Sequence, residues 1–472
     1  MSAVTEILKR AKELNSNTRK NDAQKLMDYY RGQFNAGPTG QVSGSGKTYA
    51  GKSRYSTAGM GHTDALLSGI FKKKWEDISP HKAYVKLTSQ IINKISMVWK
   101  EGVTLAFTDD EDGKMAAELD SIMPDNFEEF MQTVEVYTKL LSTVVVRVNY
   151  RGGRVELDLV TPNVLDVVQD EEDPTQAVAY IVTQTWTDTV SDTRIHYRIW
   201  TPDDTWIENE KGAPVGMVEP NPYNGELPFI PCYNVAPLDT FFNPLDYYLI
   251  NAQEKANLLN TYMFYILAYA DPVWFAKNCN LENLVIGPSK IIAASTMPGV
   301  EATLEAVNPQ ANPETYRRLL DGHIRDSLRA YGIEPPRDTG STSSGIALKL
   351  ENYERVENRR WDVLRWRSTV RDLISKIVTV YAAHNGGVLP VDIDRLIVDF
   401  GEVNLPIEYK DQLDNWEREI EMGLKSPAEV MMESNPDIDE ETAKVQVQDN
   451  LTATKAMRTG YSLTDILGGT NE

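Results

Sequence analysis

A helical pattern runs without a break from about Ile346 to His384. At ~1.5 Å per residue it is on the order of 58 Å long if continuous. Val363, Trp366, Val370, Leu373, Ile377 and Val380 step by three and four along it and mark a buried seam. Two further helical stretches lead up to it. The first covers about Asn243 to Ala270, on the order of 40 Å, with Leu245, Leu249, Ala252, Ala256, Leu259, Tyr262, Ile266 and Tyr269 in helical step, and it halts at Asp271-Pro272. The second covers Pro313 to Tyr331. It opens on a proline, and Glu314 with Arg318 and Asp321 with Arg325 form favourable i,i+4 pairs. Between these two lies a short β-like insert, Val273 to Asn312, punctuated by Gly287-Pro288, Pro298-Gly299 and Pro309. A loop, GIEPPRDTGSTSSG, separates the second stretch from the longest helix. Nothing in this order makes alternating βα units around a pocket, which is unusual for an enzyme.

The rest of the chain makes this an α+β protein. Residues 1–35 read as helix with Gly32 as its stop. Residues 36–63, rich in Gly, Ser and Thr, read as a flexible loop. Helical spacing returns at about Lys82 to Lys100 and again at Asn126 to Leu141. From Thr143 to Val235 the runs VVVRVNY, RVELDLV, AVAYIVTQTWT and RIHYRIW alternate or are β-branched. Turn residues such as Arg151-Gly152-Gly153 separate them, so an antiparallel β-region is expected. A strand from Arg395 to Phe400 follows the longest helix, and the last 65 or so residues are acidic and helical.

The chain has 472 residues, enough for several structural units. No apolar run approaches the ~20 residues that cross a bilayer. The N-terminus, MSAVTEILKRAKELNSNTRK, lacks the apolar core of a secretory signal, so a cytosolic chain is expected. Cys232 and Cys279 fit no metal or redox spacing and read as buried free thiols. The net charge of −21 argues against a protein that grips nucleic acid by its phosphates. It does not argue against one through which DNA slides, since a negative wall denies the duplex places to stick.

The motifs are mostly negative findings. Gly44 to Thr48 spell GSGKT, but a phosphate loop needs a glycine where Gln41 stands and a buried strand ahead of it, so nucleotide binding is rejected. The five histidines, His62, His81, His196, His323 and His384, are scattered without paired-ligand spacing. The acidic runs at Asp109 to Asp112 and Asp170 to Asp173 read as solvated turns. Lys72 to Lys74 read as solvated surface, with contact to DNA or a capsid neighbour as the other possibility. Arg355, Arg359, Arg360, Arg365, Arg367 and Arg371 stand among Glu351, Glu354, Glu357 and Asp362 and read as ion-pairing residues toward neighbouring helices or subunits. The aromatics around the first long helix (Phe241, Phe242, Tyr247, Tyr248, Tyr262, Phe264, Tyr265) cover more than one face. A monomer core and a tight ring of identical helices satisfy that pattern equally.

The run from Gly332 to Ile377, GIEPPRDTGSTSSGIALKLENYERVENRRWDVLRWRSTVRDLISKI, resembles the portal proteins (head-to-tail connectors) of tailed bacteriophages. In that family a Gly/Ser/Asn loop ending in an SGxALK-like phrase opens a long helix, and Ser344-Gly345-Ile346-Ala347-Leu348-Lys349 fits the phrase. Upstream, Ile91-Ile92-Asn93-Lys94-Ile95 with Gly102-Val103-Thr104-Leu105 is similar to an early helix–glycine–strand segment of the family. Downstream, Asn404-Leu405-Pro406 and the helix with Gly423, Ser426 and Pro436 resemble its C-terminal part. The similarity runs from about residue 80 to 450, and the order of the motifs carries more than any one of them.

The resemblance implies a non-enzymatic protein without cofactor or metal, forming a ring usually of twelve subunits at one capsid vertex. It implies a portal-type α+β fold: a β-rich antiparallel wing, a two-helix stem, a small α/β clip, a long wing helix and a helical crown. Mapped onto this chain, residues 1–242 form the N-terminal part of the wing and 243–270 the first stem helix. Residues 271–312 form the clip, 313–332 the second stem helix, 333–345 the tunnel loop, 346–404 the long wing helix and strand, and 405–472 the crown. The tunnel loop would present Glu334, Arg337, Asp338, Thr339, Ser341, Ser343 and Ser344 to the DNA channel, with Arg337 able to meet phosphate. The clip would offer Trp274, Phe275, Asn280, Glu282, Lys290 and Glu301 to docking partners. The implied partners are further copies of the chain, double-stranded DNA in the channel, the terminase large subunit, major capsid and scaffolding proteins, and head–tail adaptor or neck proteins, with no membrane. The implied location is the portal vertex of the virion, after assembly in the host bacterial cytoplasm. Another head–tail connector or adaptor ring is the alternative, although adaptors are usually shorter, and a DNA-acting enzyme is the third reading.

Overall fold

The computed structural model describes residues 9, 17–32, 58–72, 78, 83–110, 112–189, 192–209, 211–268, 273–277, 279–280, 295–296, 303–307, 313–334, 345–387, 391–401, 409–435 and 438–460. The chain divides into two compact units, Met1–Arg337 with Asn352–Val403, and Asp338–Glu351 with Asn404–Glu472.

In the first unit, α1 (Asn17–Arg31) buries Ala23, Leu26, Met27 and Tyr29 and stops at Gly32, whose φ of +59° is cheap only for glycine. Next comes α2 (Ala58–Phe71), which begins inside the segment expected to be a loop over 36–63. The pattern missed it because its early residues, Ala58-Gly59-Met60-Gly61, look like a linker, while Leu67 is fully buried. The helix expected over Lys82 to Lys100 is also shorter than its pattern. Residues 83–86 are extended, and α3 covers only Leu87–Ile95 before Ser96 turns to extended backbone.

Strand β1 (Val103–Phe107) is followed by α4 (Lys114–Ile122) and α5 (Phe127–Leu141). Of the acidic run, Asp109 and Asp110 lie in a turn, and Asp110 accepts the N–H groups of Met115 and Ala116 at the start of α4. The β-region then unfolds as expected. β2 (Thr143–Arg151) and β3 (Arg154–Val160) form a hairpin whose two-residue turn, Gly152-Gly153, has φ of +60° and +85°. β4 (Leu165–Gln169), β5 (Ala177–Thr189), β6 (Asp192–Trp200), β7 (Asp204–Asn209) and β8 (Glu219–Pro220) make a five-stranded meander in that order. β9 (Phe229–Tyr233) returns to pair with β2, so β3-β2-β9 is a separate three-stranded antiparallel sheet.

The helical spine follows. α6 (Tyr247–Ala268) leads into a small insert where β10 (Val273–Lys277) pairs with β13 (Thr303–Val307), and β11 (Cys279–Asn280) with β12 (Ser295–Thr296). α7 (Pro313–Arg329) returns along α6. α8 (Gly345–His384) is continuous, and every residue of the seam read from its sequence is buried. Val370, Leu373, Ile374, Ile377, Val378 and Val380 are wholly inaccessible, each worth about 1.5–3 kcal/mol relative to an exposed position. β14 (Leu396–Phe400) then pairs antiparallel with β1, joining segments almost 300 residues apart. In the second unit, α9 (Tyr409–Glu421), α10 (Pro427–Ser434) and α11 (Glu440–Gly460) follow, and α10 opens with a capping box between Ser426 and Glu429.

Candidate functional site

The expected order of helix, small insert, helix and long helix is present, and α6 is fastened by polar groups that hydropathy does not reveal. Gln253, Asn257 and Thr261 lie one turn apart on α6 and are wholly buried. They act as a sheet edge for the extended segment before α3. Thr261 Oγ1 accepts the Ala83 N–H at 3.1 Å, Asn257 Oδ1 the Val85 N–H at 2.9 Å, and Gln253 Oε1 the Thr88 N–H at 2.9 Å. Gln253 Nε2 in turn donates to Val85 O and to Asn257 Oδ1. Buried main-chain groups must be paired, so this ladder is why residues 83–86 are not helical. The i,i+4 spacing of Gln, Asn and Thr was a legible signal, masked by the apolar residues around it. Between α6 and α7, His323 Nε2 meets Ala252 O at 2.9 Å. Asp246 accepts from the first N–H groups of α6 and from the Tyr331 hydroxyl, whose pKa is raised by burial.

A second polar knot holds the long helix. Residues 97–99 turn back on themselves, with N–H groups on one side and carbonyls on the other. The buried carboxylate of Glu135 on α5 takes the N–H groups of Met97 and Val98 at 2.9 Å and of Trp99 at 3.1 Å. Arg359 of α8 donates to Met97 O at 3.1 Å, Val98 O at 3.4 Å and Gly401 O at 2.6 Å. Burial pushes the Glu135 pKa up against the lowering from the Val98 and Trp99 N–H groups. Lys139 joins Asp362 at 2.6 Å beside it. The Trp99 ring packs edge-on against Phe127, Trp366 and Phe400.

This refines the expectation for the arginines of α8. Arg355, Arg359 and Arg371 spend donors on main-chain carbonyls, at Lys94, Met97 and Leu396 respectively. Arg360, Arg365 and Arg367 pair with Glu357, Asp362 and Asp399.

Three surface features stand out in the same unit. A cleft of about 750 Å³ has an apolar floor that includes Val103, Leu105, Leu119 and Met123, and four carboxylates, Asp120, Asp125, Glu128 and Glu129, on its lining without a lysine or arginine. Trp361 and Leu364 stand 66% and 57% exposed on α8. Tyr247, Tyr248, Phe264 and Leu267 of α6 are about half exposed in the single chain.

Of the expected channel residues, Glu334 is described. It is exposed just beyond the end of α7, 3.7 Å from Arg329. Arg337, Asp338, Thr339, Ser341, Ser343 and Ser344 lie outside the described residues. In the insert, Trp274 and Phe275 lie on β10 opposite Ala306 and Glu305, and Asn280 on β11 opposite Ser295. Glu282, Lys290 and Glu301 lie outside the described residues, as do Gly44 to Thr48. Lys72 is exposed.

A model of the phage portal protein family described as SPP1 Gp6-like matches residues 10–458. The chain belongs to that family. The portal chain is therefore a structural protein of a bacteriophage and not an enzyme. Among solved structures, a chain from the neck of an empty GTA particle, computed with C6 symmetry, aligns at 12% identity with a TM-score of 0.38. The alignment covers 74% of this chain and 89% of that one. No curated protein matches the portal chain. Among its described residues, no helix is long and apolar enough to cross a membrane.

Proposed function

We propose that the chain forms a closed ring, of twelve copies, at one vertex of the phage capsid, and that DNA enters and leaves the head through its channel. The observation that carries this is the family match over residues 10–458, nearly the whole chain. Three features support it. The stem pair α6 and α7 leaves aromatic and aliphatic side chains half exposed in a single copy, as a helix flanked by the next copy would. The small insert between the stem helices has the place of a clip, where the terminase large subunit would dock during packaging and neck or adaptor proteins afterwards. A charge of −21 on each copy suits a wall past which a duplex slides. In this reading capsid and scaffolding proteins surround the wing, residues 333–345 narrow the channel, and residues 405–472 form the crown inside the head.

The test is negative-stain electron microscopy of the purified chain with its mass measured in parallel. Rings with a central hole, near twelve times the mass of one chain, are the expected outcome. A monomer that stays monomeric with capsid and scaffolding proteins present would overturn the reading. For the channel loop, Arg337→Ala is expected to change DNA retention in a packaging assay. Unchanged retention removes Arg337 from any role at the phosphates.

A further inference from the structure

The two features left over by the fold have complementary chemistry. On α8, Arg360, Trp361, Leu364, Arg367 and Arg371 are all exposed. At 100° per residue they fall on one face of the helix. That face carries three arginines around an apolar centre; Arg360 and Arg367 already meet Glu357 and Asp399 of their own chain, which leaves arginine in excess there, and a tryptophan with two-thirds of its surface in water is a costly thing to leave uncovered. The cleft beside β1 is the reverse: an apolar floor at Val103, Leu105 and Met123, and an acidic lining. Asp120, Asp125 and Glu129 have no cationic partner in this chain among the described residues.

The two features flank opposite edges of one small sheet. β1 and β14 pair only with each other among the described residues. On the β14 side, Arg371 of α8 donates to Leu396 O. On the β1 side, Glu128 at the start of α5 accepts from Val103 N. A copy of the chain thus carries a basic, tryptophan-centred face at one edge of this sheet and an acidic cleft with an apolar floor at the other. Head-to-tail association needs two different, mutually complementary patches on each subunit, whereas a two-fold dimer needs one self-complementary patch.

We propose that the Trp361–Leu364 face of one copy seats in the Val103–Met123 cleft of the next, with Arg360 and its neighbours meeting Asp125 and Glu129. This rests on the ring reading and assigns it a specific contact. Trp361 and Leu364 are the buried anchors, and the charges around them set orientation and exclude the wrong pairing.

The experiment uses the full chain with Cys279→Ser, carrying Leu364→Cys and Met123→Cys together. On mild oxidation, assembled protein is expected to give a ladder of covalent multimers in reducing-agent-free gels, while either cysteine alone gives none. A charge swap runs in parallel. Arg360→Glu alone and Asp125→Lys with Glu129→Lys each lower the assembled fraction at least tenfold, and the combined variant restores it. Normal rings by microscopy with no ladder, or charge variants that assemble like the parent, overturn the contact while leaving the ring intact. A parent chain that forms no ring under any assembly condition overturns the ring reading and the contact with it.

Discussion

Single side chains decide where helices stop in this protein, and Glu135 is the clearest case. Its carboxylate takes three consecutive main-chain N–H groups, which ends the helical pattern that the sequence carries through to Lys100. Native Glu135 holds its proton more tightly than the unfolded chain does. The stability linked to its titration is therefore full below the ordinary value of 4.5 and falls as the pH rises through the raised native value. Glu135→Gln is expected to remove that slope. It also costs about 1–3 kcal/mol, because an amide NH₂ would face a main-chain N–H. Urea unfolding at a series of pH values checks both, and a variant with the parent's slope would refute the assignment. Cys232 makes a simpler prediction. It is wholly buried, and burial pushes its thiol up to about 12. In a Cys279→Ser background a thiol reagent should react with the denatured protein and leave the native one unlabelled.

At the scale of elements, extended chain is held against a helix by side chains rather than by another strand. Asn257→Leu keeps the volume of the rung and removes the acceptor for the Val85 N–H. The expected loss is about 1 kcal/mol of unfolding free energy, since the half-buried donor loses its partner. A larger loss of protection from hydrogen exchange over residues 83–88 than over α8 would localise it, and uniform change across the chain would argue against the rung. Gly401 marks a second constraint of this kind. A Cβ there would lie 2.9 Å from Glu101 O, so main chain meets main chain where β14 leaves the sheet. Gly401→Ala must push β14 from the turn before β1, and a fall in Tm of several degrees is expected; an unchanged Tm would show that the approach relaxes freely.

At the scale of the whole molecule, the single chain leaves apolar surface that a soluble monomer ordinarily covers. Tyr247, Tyr248, Phe264 and Leu267 on α6 and Trp361 and Leu364 on α8 are all exposed, on two different helices. The proposed ring would cover them. The fluorescence of a dye that binds exposed apolar surface is expected to fall as rings form from isolated chains. A signal that rises or holds steady on assembly would mean these side chains face solvent or the channel in the ring.

The sequence alone determined the periodic parts: the three long helices α6, α7 and α8, the seam of α8, the hairpin at Gly152-Gly153, and the α+β class. Each follows from spacing, propensity or turn chemistry that acts over a few residues. Resemblance in the order of those parts pointed to the family. Tertiary structure decided the rest. The helix at Ala58–Phe71 hid behind small residues, the helix after Lys82 lost its ends to Gln253, Asn257, Thr261 and Glu135, and β1 found β14 almost 300 residues away. That pairing sets α4 and α5 along one edge of a sheet and α8 along the other, and so puts the acidic cleft and the arginine–tryptophan face on opposite sides of it. Local propensity is written in neighbouring residues, but a buried donor's choice of acceptor and a strand's choice of partner depend on groups that only the folded chain brings together.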